Sequence, residues 1–165
     1  YATSEGRLNH YDYASGQWRS TMAPRERNLG DLEPNPDGSL GVLVPGASGM
    51  AGVFAELYLS RDLGATWTEI KPKNSIRVGA PMRLRSGTVL ARSLVLTSGT
   101  ELNASQDGGQ TWLPRKESTP GRLTALPSGR LISVESGYLF LVKVSTDEGD
   151  TWQTGFTNYD VKVAK

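Results

Sequence analysis

The chain has 165 residues, with 18 basic and 17 acidic side chains, one histidine and no cysteine. That length supports one domain with its own core, and the lack of cysteine excludes a disulfide framework, a zinc-thiolate site and a thiol nucleophile. A formal net charge of +1 argues against a nucleic-acid partner, and no apolar run is long enough for a helical membrane span.

The 19 glycines and 9 prolines punctuate short runs of alternating polarity, which predicts an all-β chain. In chain order, the first expected element is a hairpin within residues 1–24, centred on Asn9-His10-Tyr11-Asp12-Tyr13-Ala14-Ser15-Gly16-Gln17-Trp18. Pro36-Asp37-Gly38-Ser39-Leu40 then reads as a tight turn entering an apolar strand. Downstream of it lies Ser60-Arg61-Asp62-Leu63-Gly64-Ala65-Thr66-Trp67. The pair recurs as Arg85-Ser86-Gly87-Thr88-Val89 ahead of Ser105-Gln106-Asp107-Gly108-Gly109-Gln110-Thr111-Trp112. It recurs again as Pro127-Ser128-Gly129-Arg130-Leu131 ahead of Ser145-Thr146-Asp147-Glu148-Gly149-Asp150-Thr151-Trp152. A last strand is expected over 159–164.

All three of the longer segments fit Ser-x-Asp-x-Gly-x-Thr-Trp. Five fixed positions match by accident roughly once per million windows, so three fits in one chain are a repeat. Each fixed residue has a structural role. The aspartate can accept hydrogen bonds from amides of the following turn, and the glycine can take the positive φ that a tight hairpin needs. The threonine hydroxyl can satisfy another turn group, and the tryptophan offers an apolar plate to pack beside the next sheet. Tryptophans 18, 67, 112 and 152 recur at intervals of roughly 40–50 residues, the period of a propeller blade.

The template is the Asp-box, or BNR repeat, and over about residues 28 to 158 the chain resembles sialidase-like Asp-box β-propellers. The resemblance implies a small β-propeller of about four blades. Three are complete (28–72, 73–117 and 118–157), and the first is degenerate or composite, its 1–24 hairpin joined by the 159–164 strand. A piece of a longer propeller and a pair of copies joined at their strand edges are the alternatives. Asp-boxes sit on the outer hairpin of a blade, away from the usual ligand site, so the boxes speak for architecture rather than activity.

Sialidases hold a substrate carboxylate with three arginines and use a tyrosine nucleophile backed by a glutamate. They also carry a Phe/Tyr-Arg-Ile-Pro motif before the first box. Met82-Arg83-Leu84 does not replace that motif. The resemblance therefore favours a non-catalytic module that binds a glycan or a protein at the propeller mouth or through side loops. A sialidase-like glycoside hydrolase, or a fragment of one, is the alternative, and a Tyr–Glu pair facing the arginines would favour it. An exported inhibitor or assembly factor is the second alternative, its loops being Pro45–Phe54 and Val95–Leu102. Secretion or a periplasmic location is implied by the resemblance alone, and the Asn103-Ala104-Ser105 sequon is discounted because Ser105 belongs to a box.

The expected ligand residues are Arg27, Arg77 and Arg122, each about ten residues after a tryptophan, where a blade's innermost strand begins. Three guanidinium groups at one channel mouth would suit an anionic glycan or an acidic protein surface. The competing reading pairs them with Glu26, Asp31 and Glu117. No metal or cofactor is expected: His10 stands alone, and Asp147-Glu148-Gly149-Asp150 falls inside a box.

Overall fold

The computed structural model describes residues 1–46, 55–72, 76–95, 97, 99–117, 121–135 and 141–157. The expected 159–164 strand and nearly all of the Pro45–Phe54 loop lie outside the described residues. Among the described residues, sixteen strands form four antiparallel sheets that follow one another along the chain, and the one helical element is a 3-10 turn over Pro24–Glu26.

The first sheet is a three-stranded meander, β1 (Ala2–Ser4), β2 (Arg7–Asp12) and β3 (Gln17–Met22). The expected hairpin is its β2–β3 pair, with Tyr11 opposite Trp18, and β1 adds an edge by folding back through Glu5 and Gly6, both at positive φ. The second sheet runs β4 (Asp31–Pro34), β5 (Leu40–Val44), β6 (Glu56–Ser60) and β7 (Thr68–Ile70) in sequence order. In the third, the inner edge is split into β8 (Ile76–Arg77) and β9 (Met82–Arg83), both paired to β10 (Val89–Val95). Outside β10 lie β11 (Gly99–Ser105) and β12 (Leu113–Pro114). The fourth is β13 (Arg122–Ala125), β14 (Leu131–Glu135), β15 (Leu141–Ser145) and β16 (Gln153–Thr157). The three upstream turn signals join β4 to β5, β9 to β10 and β13 to β14, with Gly38, Gly87 and Gly129 at φ 84°, 95° and 85°.

Each repeat motif closes the outer hairpin of its sheet with one hydrogen-bond pattern. In the second sheet the Ser60 hydroxyl donates to Asp62 Oδ1 (2.8 Å) and accepts from the Gly64 amide (2.7 Å). The Thr66 amide and hydroxyl donate to Asp62 Oδ1 and Oδ2 at 2.8 and 2.6 Å. Asp107 and Asp147 are held in the same way by Ser105 with Thr111 and by Ser145 with Thr151. These donors favour the ionised carboxylate. The threonine hydroxyl, ahead of its amide, pushes Asp62 and Asp147 down to about 2, and Asp107 is lowered further.

The motif glycines then meet the preceding sheet. A Cβ on Gly64 would lie 2.8 Å from Leu8, one on Gly109 2.8 Å from Ile70, and one on Gly149 2.7 Å from Leu102. A Cβ at any of the three would displace those side chains, and φ of 89°, 99° and 86° at these positions favours glycine in its own right. The tryptophans follow the glycines to the preceding sheet, not to the next one as the sequence reading expected. Trp67 Nε1 donates to the Met22 carbonyl (3.0 Å), Trp112 joins Leu57, Leu59 and Ile70, and Trp152 joins Leu90 and Leu102. The reason is the direction of the hairpin, which leans its turn onto the sheet already made.

Buried aliphatic side chains fill the spaces between sheets. Leu57, Leu59 and Ile70 of the second sheet meet Val89 and Ala91 of the third, while Leu90, Leu102 and Ala104 of the third meet Leu123 and Leu131 of the fourth. On the inner side the second and third sheets approach closely enough that a Cβ on Gly41 would collide with the Pro81 carbonyl.

Two expectations follow. Gly41→Ala should cost about 2–4 kcal/mol, since backbone must move. Gly38→Ala has nothing within 4 Å of the new Cβ, so it pays only for its positive φ, about 1 kcal/mol; equal urea midpoints for the two variants would refute the close approach. For the motif carboxylates, values depressed on folding give stability that is present above the usual 3.8 and lost as pH falls toward about 2. The unfolding temperature should therefore drop through that window, and Asp62→Asn should lower stability above it and flatten the drop.

Candidate functional site

The inner ends of the second, third and fourth sheets converge on a recess with a polar rim and an apolar floor. Its rim is Asp31 and Glu33 on β4, Arg92 on β10 and Arg122 on β13; its floor is Met82, Leu90 and Leu123, all buried. Asp31 and Glu33 stand two apart on one strand and therefore point the same way.

Asp31 is the hub. Its Oδ1 accepts from the Leu32 amide (3.1 Å) and its Oδ2 from the Ala80 amide of the third sheet (3.0 Å). Arg122 Nη2 lies 4.0 Å from Asp31 Oδ1 and 3.8 Å from Glu33 Oε2. Arg92 Nη1 donates to the Gly121 carbonyl at the start of the fourth sheet. Gly79 makes room for this: a Cβ there would strike the Arg92 guanidinium and come within 3.3 Å of Asp31 Oδ2.

Burial sets the electrostatics. It pushes the Arg92 guanidinium below the usual arginine value, with the Asp31 charge opposing. It pushes the Glu33 carboxyl above the usual 4.5, with Arg122 opposing. The ion pair does not reverse that shift, because Arg122 is mostly exposed and solvent screens it across 3.8 Å.

The three expected arginines are placed in separate surroundings. Arg122 is in the recess. Arg77, on β8, donates from Nη1 to the Ala55 carbonyl (2.7 Å). Arg27 is exposed beside the 3-10 turn, where its charge helps to lower the Glu56 carboxyl. Of the expected partners, Asp31 does meet Arg122, whereas Glu117 Oε2 accepts from the Trp152 amide (3.0 Å). Sequence reasoning missed Arg92 and Glu33. The available signals were an arginine inside the apolar run Val89–Val95 and an Asp-x-Glu step opening a strand.

A second polar cluster lies at the entry to β6. Tyr58 OH donates to Glu56 Oε2, and Arg25 Nε reaches both Tyr58 OH (3.0 Å) and Glu56 Oε2 (3.2 Å). The tyrosine hydrogen bond, ahead of Arg25, lowers Glu56, while burial first and Glu56 second raise Tyr58. The Tyr58 ring is buried against Val42 and Val44.

No protein-family model matches the chain, and no curated protein matches it. Among solved structures it is similar to a Hadza microbial sialidase, Hz136, with a TM-score of 0.50 and 18% identity over 90% of this chain. The fold is sialidase-like. The chain spans 39% of the length of that sialidase, and at this identity the likeness bears on the fold alone.

The raised Glu33 gives a test of the recess. A carboxyl whose value rises on folding contributes stability below its usual 4.5 that is lost as pH climbs through the folded value. Glu33→Gln, neutral throughout, should match or exceed the wild type in urea midpoint near pH 7 and should flatten that loss. A cost above about 1 kcal/mol would show instead that the Arg122 pair dominates.

Proposed function

We propose that the chain is an array of Asp-box blades of a β-propeller and works as a non-catalytic binding module, taking a glycan at the recess between the inner strands. The observation that carries this reading is the recess itself: two carboxylates and two guanidinium groups around a floor of Met82, Leu90 and Leu123. Small-ligand sites combine an apolar surface with a few convergent polar groups. Sugar hydroxyls both donate and accept, so the carboxylate and guanidinium groups of the rim can hold neighbouring hydroxyls of a glycan laid across the mouth, the recess itself, about 10 Å³, admitting no more than one hydroxyl or water. Two acids balance two bases here, which suits a hydroxyl-rich ligand better than a bare anion. The sialidase-like fold supports the blade assignment, and export from the cytoplasm is proposed with it.

Sialidase-like hydrolysis is the second reading, favoured by the Tyr58–Glu56 pair with Arg25 beside it. Burial opposes it, since it raises the Tyr58 hydroxyl rather than preparing a phenolate, and the ring is committed to Val42 and Val44.

A glycan array followed by calorimetry on the hits tests the binding reading. Arg122→Ala and Asp31→Asn should each weaken the hits roughly tenfold or more; hits that bind both folded variants as well as the wild type would sink it. A fluorogenic sialoside should stay uncleaved, and turnover that Tyr58→Phe abolishes would establish hydrolysis instead.

A further inference from the structure

Two groups on the rim of the inner recess face each other across sheets with hydrogen-bonding capacity unused. Glu33, on β4, has a side chain only 16% exposed, and its carboxylate accepts no hydrogen bond among the described residues. Arg122, on β13, lies 3.8 Å from Glu33 Oε2 and 4.0 Å from Asp31 Oδ1, both longer than a hydrogen bond. The other two rim groups are committed: Asp31 takes the Leu32 and Ala80 amides, and Arg92 donates to the Gly121 carbonyl. An unmet acceptor and unmet donors therefore sit side by side at one edge of the mouth.

Space decides what can meet them. The recess holds about 10 Å³, room for one group the size of a water. Met82, Leu90 and Leu123 close it below, so an entering group finds its polar partners only at the rim. A hydroxyl matches on both counts, since it donates one hydrogen, which Glu33 can take, and accepts one, which Arg122 can give. An ammonium has no lone pair to accept with and would face the charges of Arg92 and Arg122. A carboxylate brings two oxygens into room for one and would face Asp31 and Glu33. Among sugar hydroxyls, one on the ring stands a single bond from a ring carbon, and the ring is too wide to follow it in. A hydroxymethyl arm carries its oxygen one bond farther, so the ring can stay across the mouth.

We propose, resting on the glycan-binding reading of this recess, that it is a subsite for one primary hydroxyl, the exocyclic hydroxymethyl of a hexopyranose, with Met82 and Leu123 setting its depth. The hydroxyl donates to Glu33 and accepts from Arg122. Selectivity then runs in two directions. A pentopyranose lacks the arm and leaves the Glu33 carboxylate without a donor, which is costly for a group whose charge burial already disfavours. A methyl ether on the same oxygen has lost the proton that Glu33 takes, and its added carbon has no room above Leu123.

NMR titration of the isotopically labelled full chain tests this with matched methyl glycosides, glucoside against xyloside and galactoside against arabinopyranoside, each pair differing by the hydroxymethyl arm. In a pair that binds, the hexoside should bind roughly tenfold tighter than its pentoside or more, shifting amides of β4 and β13. Methylating the primary oxygen of that hexoside should cost as much. Leu123→Ala, checked for folding by circular dichroism, enlarges the recess and should regain affinity for the methyl ether; Met82→Ala makes the same test if the first variant does not fold. A pentoside bound as tightly as its hexoside, or a methyl ether that binds the wild type undiminished, would overturn the subsite and leave the glycan reading standing. No shift with any of the four glycosides would overturn it too, and array hits that Arg122→Ala weakens would then keep the glycan reading without it.

Discussion

The architecture depends on one local arrangement, a carboxylate clasped by its neighbours so that a glycine can lie flat against another sheet. In the second sheet, Asp62 takes the Ser60 hydroxyl, the Thr66 amide and the Thr66 hydroxyl. These donors fix the turn within a few residues. They leave Gly64 at φ 89° with Leu8 where a Cβ would be. A lone hairpin is marginal in water. Here each hairpin gains its stability by resting on the sheet before it, and Trp67, Trp112 and Trp152 extend that contact. The array is therefore close to one-dimensional, each unit depending on its neighbours.

Clamping the sheets along their outer edges decides what happens at the inner ones. The inner parts of the second and third sheets are drawn together until the backbone of Gly41 on β5 lies against that of Pro81 just before β9. Side chains placed there cannot all point to solvent. Asp31 takes an amide from the third sheet, Arg92 reaches a carbonyl of the fourth, and Arg122 returns toward the second. The recess is thus a by-product of sheet packing, with its polar groups set on strands rather than on loops.

Local features were legible in the sequence and long-range ones were not. The motif hydrogen bonds join residues two to four apart, so its Ser, Asp, Gly and Thr could be assigned roles from spacing alone. The turns around Gly38, Gly87 and Gly129 were equally plain. The arginines show the limit. Arg27, Arg77 and Arg122 share a place relative to the tryptophans, yet shared place did not bring shared surroundings. Arg77 was captured by the Ala55 carbonyl and Arg122 by two carboxylates of another sheet. The direction in which each tryptophan packs was also hidden, because it depends on the hand of the hairpin and not on its composition.

The motif aspartates and Asp31 differ in how their oxygens are held. Asp62, Asp107 and Asp147 are solvent-exposed, yet their oxygens are already saturated by hydroxyls and amides of their own turns. A ligand would have to displace donors that cost the protein its turn. Asp31 accepts two amides, but its Arg122 contact is 4.0 Å long and spans two sheets. That contact can open for a competing hydroxyl at little cost to the fold. Glu33 has still less to lose, since burial already disfavours its charge and a donated hydrogen bond would relieve that penalty. Carboxylates committed locally hold the turns, whereas Asp31 and Glu33 are tied to Arg122 across sheets and would be the ones open to a ligand under the proposed binding role.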